Sequence, residues 1–440
     1  MGTLMQRHET SQKTVECMAL SRIPFSQLFH DGYQAIAINL MNEVTPSVSC
    51  GPSARLLKLV KLGLSIADDE QDRSVALEGD NIAPGTGIDL EIESESSTMA
   101  PEAALYETCY VTAHKAACRA AAFNSTGQLI ATGSHDSSIK ILDVERMLAK
   151  GNSGPEHSAQ ETPQQQMEAH PVIRTLYDHT AEVTCVDFHP DASQQILVSG
   201  SKDYTIKFFD FSNPSVKKAQ RSIPEASPIK TLHFHPSGNY LLVGTHHKTL
   251  RIYSVNTCQC FVSAVPEDQH NGAVTMARWA PNANYFVTSS VDGSFKIWDG
   301  VSGRCVSTFE AAHDGLPVCS AVFSRNSKYV LTSGKDSVVK LWELSTSRCL
   351  ISYTGAGTLG LHTHRSNAVF NHTEDYVLFP DEVTKSLCCW DSRNADRQRL
   401  LPLSHNGPIR CFVHSPTTAA FLSCSDDNRA RFWYKRPISD

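Results

Sequence analysis

From about residue 106 to the end of the 440-residue chain, apolar and polar positions alternate in short runs. Gly, Asn, Asp and Ser break the runs every few residues, the pattern of half-buried strands joined by tight turns. Five runs nearly superimpose: GSHDSSIKILD (133–143), GSKDYTIKFFD (200–210), SSVDGSFKIWD (289–299), SGKDSVVKLWE (333–343) and CSDDNRARFWY (424–434). Each reads as a small-residue strand end, an Asp in a tight turn, then a strand closing on an aromatic residue or Leu. A sixth, GTHHKTLRIYS (244–254), has His247 in place of the Asp, and a seventh, PDEVTKSLCCWD (380–391), has Thr384 there. The turn positions 136, 203, 247, 292, 336, 384 and 427 are separated by 67, 44, 45, 44, 48 and 43 residues. A unit near 44 residues with four short strands predicts a mainly β chain folded as a seven-bladed propeller. The long first interval holds a polar segment over 145–170, read as a surface insertion.

The flanks of the turns carry a second regularity. His lies 20–24 residues before the turn in six repeats, at His114, His179, His270, His313, His364 and His405. Ser or Thr lies four before the turn Asp in five: Thr132 with Asp136, Ser199 with Asp203, Thr288 with Asp292, Thr332 with Asp336 and Ser423 with Asp427. Trp298, Trp342 and Trp433 close the third strand of three of these, and Leu142 and Phe209 stand there in the other two. The set resembles the structural tetrad of WD repeats, in which a buried turn has its polar groups satisfied within the blade. Hydrolytic Ser–His–Asp triads are the competing reading. Recurrence at a fixed period argues against them, since an enzyme needs one site. No catalytic residue is expected. Repeats 3 and 6 lack both the turn Asp and the Ser/Thr, through drift in blades held by neighbours or as a partner groove. The segment 106–112, YETCYVT, alternates correctly for the missing outer strand of the last blade, so it is expected to fasten the ring.

Residues 1–67 read differently. Phe29, Tyr33, Ile36 and Leu40 follow helical spacing within 26–44, and Leu57 and Val60 mark one face of a second helix over 54–66. So small an all-α region has a marginal core, and these six residues are the candidate dimerisation face. The competing reading packs the helices on the ring of their own chain.

Charge separates the regions further. Residues 68–105 carry eleven acidic groups and one basic one, Arg73, within a net charge of -7 for the whole chain. That stretch reads as an acidic flexible linker, although the run 82–91 around Pro84-Gly-Thr-Gly87 has the composition to dock. The propeller is assigned to 106–440. The fourteen Cys form no CxxC pair and sit mostly in apolar runs, as buried thiols of a reducing compartment do. No apolar run is long enough to span a membrane, and the polar first thirty residues suggest no secretory leader.

Four further features were weighed for chemistry. Gly355-Ala-Gly-Thr-Leu-Gly360 matches GxGxxG but precedes no helix pattern. His233 with His235 and His362 with His364 could ligate metal, but no third ligand is evident, so neither metal nor cofactor is expected. Arg410, Arg429, Arg431, Lys435 and Arg436 stand near Phe432, Trp433 and Tyr434 and are candidates for RNA or partner contact. Trp390-Asp-Ser-Arg393 matches the short WDxR element of ubiquitin-ligase substrate receptors, which sets a competing function.

Longer stretches carry a closer resemblance. DGYQAIAINLMNEV (31–44), APGTGIDLE (83–91), YETCYVT (106–112), TGQLIATGS (126–134), IKILDVERMLAK (139–150), HPVIRTLYDH (170–179), SGKDSVVKLWE (333–343) and LCCWDSR (387–393) resemble the WD-repeat subunit family of cleavage stimulation factor. The resemblance implies a nuclear, non-catalytic scaffold in cleavage and polyadenylation of mRNA 3′ ends. It implies a homodimer through a Lis-homology-like N-terminal region. It also implies a helical-repeat scaffold subunit, an RNA-recognition-motif subunit and other 3′-end processing factors as partners, with RNA reached indirectly and no membrane.

Overall fold

The computed structural model describes residues 88–90, 100–152, 170–357 and 361–435. The chain divides into two units, 1–79 and 80–440, and every described residue belongs to the second. The helices and dimerisation face expected over 1–67 lie outside the described residues, as do most of 68–105 and Arg436.

Strand β1 (Glu107–Ala113) comes first among the described strands. Blade 1 is β2 (Cys118–Phe123), β3 (Leu129–Ser134), β4 (Ser138–Asp143) and, after the helix α1 (Val144–Asn152), β5 (Val172–Tyr177). Blade 2 is β6 (Val183–Phe188), β7 (Ile196–Ser201), β8 (Thr205–Asp210) and β9 (Arg221–Pro224). Blade 3 is β10 (Ile229–Phe234), β11 (Tyr240–Thr245), β12 (Arg251–Ser254) and β13 (Cys260–Phe261). Blade 4 is β14 (Val274–Trp279), β15 (Tyr285–Ser290), β16 (Phe295–Asp299) and β17 (Cys305–Phe309). Blade 5 is β18 (Val318–Phe323), β19 (Tyr329–Gly334), β20 (Val339–Glu343) and β21 (Arg348–Tyr353). Blade 6 is β22 (Val369–Phe370), β23 (Tyr376–Pro380), β24 (Ser386–Asp391) and β25 (Leu401–Pro402). Blade 7 is β26 (Ile409–His414), β27 (Ala420–Ser425) and β28 (Arg429–Tyr434), completed by β1. Each sheet is an antiparallel meander, and together they make the seven-bladed propeller.

The first strand of each blade lies innermost and meets the first strand of the next. Side chains on these strands latch neighbouring blades together. Thr184 Oγ1 donates to the Ile229 carbonyl at 2.9 Å and Thr275 Oγ1 to the Val318 carbonyl at 2.6 Å. Asn367 accepts from the Phe412 amide at 3.0 Å.

No blade encloses a core of its own; the apolar clusters lie between blades. Leu197 and Phe209 of blade 2 pack with Ile139 and Ile141 of blade 1, and Phe295 and Phe309 of blade 4 pack with Val318 and Ala321 of blade 5. A side chain of this kind contributes about 1.5–3 kcal/mol on full burial, so each sheet depends on both neighbours. Closure follows from the same need. β1 pairs antiparallel with β28, Glu107 opposite Tyr434 and Ala113 opposite Arg429, so the seventh sheet is built from both ends of the ring.

Two parts of the stretch read as flexible linker are anchored on the ring. Ile88 is buried beside Tyr329 and Phe370, and its amide donates to Glu374 at 2.9 Å. Lys328 pairs with Asp89 at 2.8 Å, and Arg393 donates to the Asp89 carbonyl at 2.8 Å. Ala100, Ala103 and Tyr106 join the core between blades 6 and 7. Apolar residues interspersed among the acids supply these anchors, so the linker reading over 68–105 does not hold for 88–90 and 100–105.

The insertion expected over 145–170 likewise opens as a helix. Val144, Met147 and Leu148, at i, i+3 and i+4, pack into the core between blades 7 and 1. Asp143 caps it by accepting from the Arg146 amide at 3.1 Å.

Candidate functional site: polar clusters and the surfaces of the ring

The recurring polar residues converge at the turn between the second and third strands of five blades. In blade 5, His313 Nδ1 lies 2.8 Å from Asp336, its Nε2 lies 2.9 Å from Thr332 Oγ1, and Trp342 donates to the same Thr at 2.9 Å. Blade 7 repeats this with His405 to Asp427 at 2.9 Å, His405 to Ser423 at 2.8 Å and Trp433 to Ser423 at 3.0 Å. In blade 4, His270 reaches Thr288 at 2.7 Å, Asp292 at 3.3 Å and Ser294 at 3.1 Å, and Trp298 donates to Thr288 at 2.8 Å. Blade 2 joins His179 to Asp203 at 2.8 Å and to Ser199 at 2.6 Å, with Phe209 where others have Trp. In blade 1, His114 meets Thr132 at 2.9 Å and Ser138 at 3.0 Å, while Asp136 stands off at 3.6 Å.

In the three blades that carry Trp, blades 4, 5 and 7, one donor order accounts for these contacts. Trp Nε1–H donates to the Ser/Thr oxygen, that hydroxyl donates to His Nε2, and His Nδ1–H donates to the carboxylate. The other Asp oxygen ties down the turn: it accepts the amide of Thr205 in blade 2 at 3.0 Å and of Val338 in blade 5 at 3.0 Å. Burial opposes ionisation of Asp203, Asp292 and Asp427, but the His partner and the turn hydrogen bonds hold all three below the ordinary carboxylate range. Burial lowers His270 and His405 despite their carboxylates. These hydroxyls face the histidine inside the blade and are fully buried.

Blades 3 and 6 build the same position from other groups, and in blade 6 both ring nitrogens of the buried histidine lack a hydrogen-bond partner among the described residues. In blade 3, Glu225 occupies the place of the histidine. Its amide donates to the Tyr204 carbonyl at 2.7 Å, and its buried carboxylate receives the Tyr253 hydroxyl at 2.5 Å and Arg251 at 2.9 Å. Tyr253 stands six residues past His247, as Trp298 stands six past Asp292. In blade 6 the buried histidine is His362, stacked on Phe379 at 5.3 Å with Asp381 at 3.7 Å. His364 lies outside that cluster, on Glu382. His362 and His364 stand 22 and 20 residues before Thr384, so spacing alone does not separate them, and it is His362 that is buried. Trp390 donates to the Thr354 carbonyl at 3.0 Å instead of to a hydroxyl.

The basic candidates are not gathered. Arg410 lines the central cavity and pairs with Asp426 at 3.5 Å, whereas Arg429 and Arg431 sit on the third strand of blade 7, covered on its edge by β1. Phe432 and Trp433 are buried in the core, so neither ring is open to a base. Among the described residues no group of three or more His, Cys, Asp or Glu could hold a metal ion.

Two cavities stand out among the described residues. An apolar groove of about 520 Å³ runs between blades 3 and 4, lined by Tyr240, Ile252, Phe261, Val262, Trp279 and Val301, the last of them 94% exposed. A polar cavity of about 440 Å³ occupies the ring axis. Neither was visible in the sequence. The groove opens because β13 is only two residues long.

Comparison with known proteins fits both units. The dimerisation domain of cleavage stimulation factor subunit 1 matches residues 19–68. The WD domain, G-beta repeat, matches 107–143, 171–210, 218–254, 263–299, 303–343 and 398–434, leaving β13, β21 and the three inner strands of blade 6 unmatched. Pre-mRNA-processing factor 19 of Bos taurus is 33% identical over 152 residues, 34% of this chain and 29% of that protein. The COMPASS component SWD3 of Saccharomyces cerevisiae is 26% identical over 205 residues, 46% of this chain and 56% of that protein. Cleavage stimulation factor subunit 50 of Arabidopsis thaliana is 37% identical over 395 residues, 87% of each chain. Such likeness reaches well beyond the repeats, and the chain belongs to the family of the WD-repeat subunit of cleavage stimulation factor.

Proposed function

We propose that this protein is a non-catalytic scaffold of the nuclear machinery that cleaves and polyadenylates mRNA 3′ ends. In this reading the region over 1–67 joins two copies through Phe29, Tyr33, Ile36, Leu40, Leu57 and Val60. The propeller docks the helical-repeat and RNA-recognition-motif subunits, which bring RNA to the complex. One observation carries the reading: the likeness to a cleavage stimulation factor subunit covers 87% of both chains, and the dimerisation domain of the same factor matches residues 19–68. The saturated hydrogen bonds of the tetrads support a platform over an enzyme. The apolar groove between blades 3 and 4 is the kind of surface on which a helical-repeat subunit packs.

The competing reading, a ubiquitin-ligase substrate receptor, draws on Trp390–Arg393. Arg393 is engaged by the chain's own Asp89 carbonyl, which speaks against it. Affinity purification of the full chain from nuclear extract tests both. Co-purifying polyadenylation subunits, lost together with 3′-end cleavage when Val262 and Val301 are changed to Asp, support the scaffold. A cullin adaptor in their place overturns it.

A further inference from the structure

The axial cavity stands at the end of the ring where the inner strands begin. Arg119, Lys230 and Arg410 are each the second residue of their blade's inner strand, β2, β10 and β26. Lys202 and Lys335 directly follow β7 and β19, whose ends pair with the starts of the inner strands of their blades. Arg365 enters from the segment before β22, and Arg278 adds a seventh cation on β14. Every blade thus contributes a positive side chain to one cavity of about 440 Å³.

The carboxylates present do not balance them. Glu182 takes Arg119 at 3.0 Å and Lys202 at 2.5 Å. Asp426 takes Arg119 at 2.9 Å and Arg410 at 3.5 Å. Glu382 is engaged by Thr363 and His364. Lys230, Lys335 and Arg365 form no ion pair among the described residues, and a buried guanidinium nitrogen of Arg410 has no hydrogen-bond partner there. Crowding of this kind costs folding free energy and is retained where a counter-charge binds.

We propose that this cavity binds a compact small molecule bearing several phosphate groups. Arg forks and Lys ammonium groups match phosphate oxygens, and the spread of the unpaired cations over blades 3, 5 and 6 calls for more than one anionic group. The volume is that of an ordinary ligand site. Apart from the imidazole of His364 the lining has no aromatic ring, so it offers bases no stacking platform and disfavours a nucleic-acid strand. Burial, then the neighbouring Arg365 and Lys202, push the Lys230 ammonium down to about 8, and its recharging would accompany anion binding.

The test is calorimetric titration of the full chain with myo-inositol hexakisphosphate at physiological salt, with thermal unfolding in parallel. One saturable site and a raised melting temperature are expected. Lys230→Met, Lys335→Met and Arg365→Gln should each weaken binding about tenfold. The exposed Lys217→Met should not. The unliganded melting temperature of Lys230→Met should not fall, which separates lost binding from lost folding. Absence of binding at millimolar probe, or binding indifferent to the three substitutions, overturns the proposal. So does tighter binding of single-stranded RNA, or of a multiply phosphorylated peptide, through the same side chains.

Discussion

The hydroxyl of Tyr253 donates to the carboxylate of Glu225 across 2.5 Å, at the position where other blades join tryptophan to histidine through a hydroxyl. Burial first, and then the Glu225 charge, push the Tyr253 phenol up, so it stays a donor. Arg251 closes the cluster. Blade 3 therefore keeps a polar centre built from different groups, a phenol–carboxylate hydrogen bond and an ion pair. Glu225→Ala, which strands the Arg251 charge, is expected to cost about 3 kcal/mol. Tyr253→Phe is expected to cost about 1 kcal/mol. Urea unfolding followed by tryptophan fluorescence checks both, and a neutral Glu225→Ala would remove the cluster's structural role.

The residue after the turn position is left-handed in six blades: Ser137, Tyr204, Gly293, Ser337, Lys385 and Asn428 have φ between 53° and 84°. Glycine stands at one of them, and a Cβ at Gly293 would lie 2.8 Å from the Gly315 carbonyl oxygen. Gly293→Ala should therefore lower stability by more than 1 kcal/mol or so, while Gly in place of the exposed, left-handed Tyr204 (Tyr204→Gly) should raise it by up to about 1 kcal/mol. Differential scanning calorimetry of the two variants measures the pair of opposite shifts.

Acid should unfold the ring in two stages. Burial, reinforced by Arg325, pushes His372 down to about 4, and burial, reinforced by His372, pushes His414 down to about 3. Their rings stack with centroids 5.4 Å apart. Both folded values lie below the ordinary 6.5, so the unfolded chain takes up protons first. Their contribution is complete above pH 6.5 and declines below it, by about 1.4 kcal/mol per pH unit for each at most. Asp203, Asp292 and Asp427 are depressed, so their contribution survives until the pH falls below the ordinary 3.8. Melting temperature against pH should fall below 6.5 and steepen below 4. His372→Gln should flatten the first stage, and an unchanged slope would count against it.

Removal of 107–113 should destabilise all seven blades, because it unpairs β28 and exposes one side of the core around Phe432. A single unfolding transition at lower temperature is expected. An unaltered melting temperature would contradict closure by β1. Glu374, which accepts the amides of Ile88 and Arg325, gives a milder case: Glu374→Ala should release the 88–90 segment to proteolysis with the ring intact.

What could be read in the chain beforehand depended on locality. Each tetrad is encoded within one repeat, and the alternation of 106–112 was legible because a strand pattern with no neighbour has one place to go. Glu225 and Tyr253 were missed because their chemistry differs from the motif, although the six-residue step from His247 pointed to Tyr253. Helix α1 was missed although Val144, Met147 and Leu148 carry helical spacing, since the surrounding polar residues masked it. The axial cations come from seven separate repeats. Only the closed ring makes Arg119, Lys230 and Arg365 neighbours, and the one residue of the group singled out earlier, Arg410, had been placed with a patch it does not join.

Because β1 completes the sheet that β26–β28 begin, the segment a ribosome makes first among the strands is the one used last. Roughly 300 residues of synthesis separate its two sides. Throughout that interval the nascent chain holds an open arc with an unpaired edge at its leading end, a state that invites mispairing with other chains. Assembly with partners that need the complete circle must therefore wait until β28 has been made, and premature termination anywhere in the last blade would leave the whole arc unfastened.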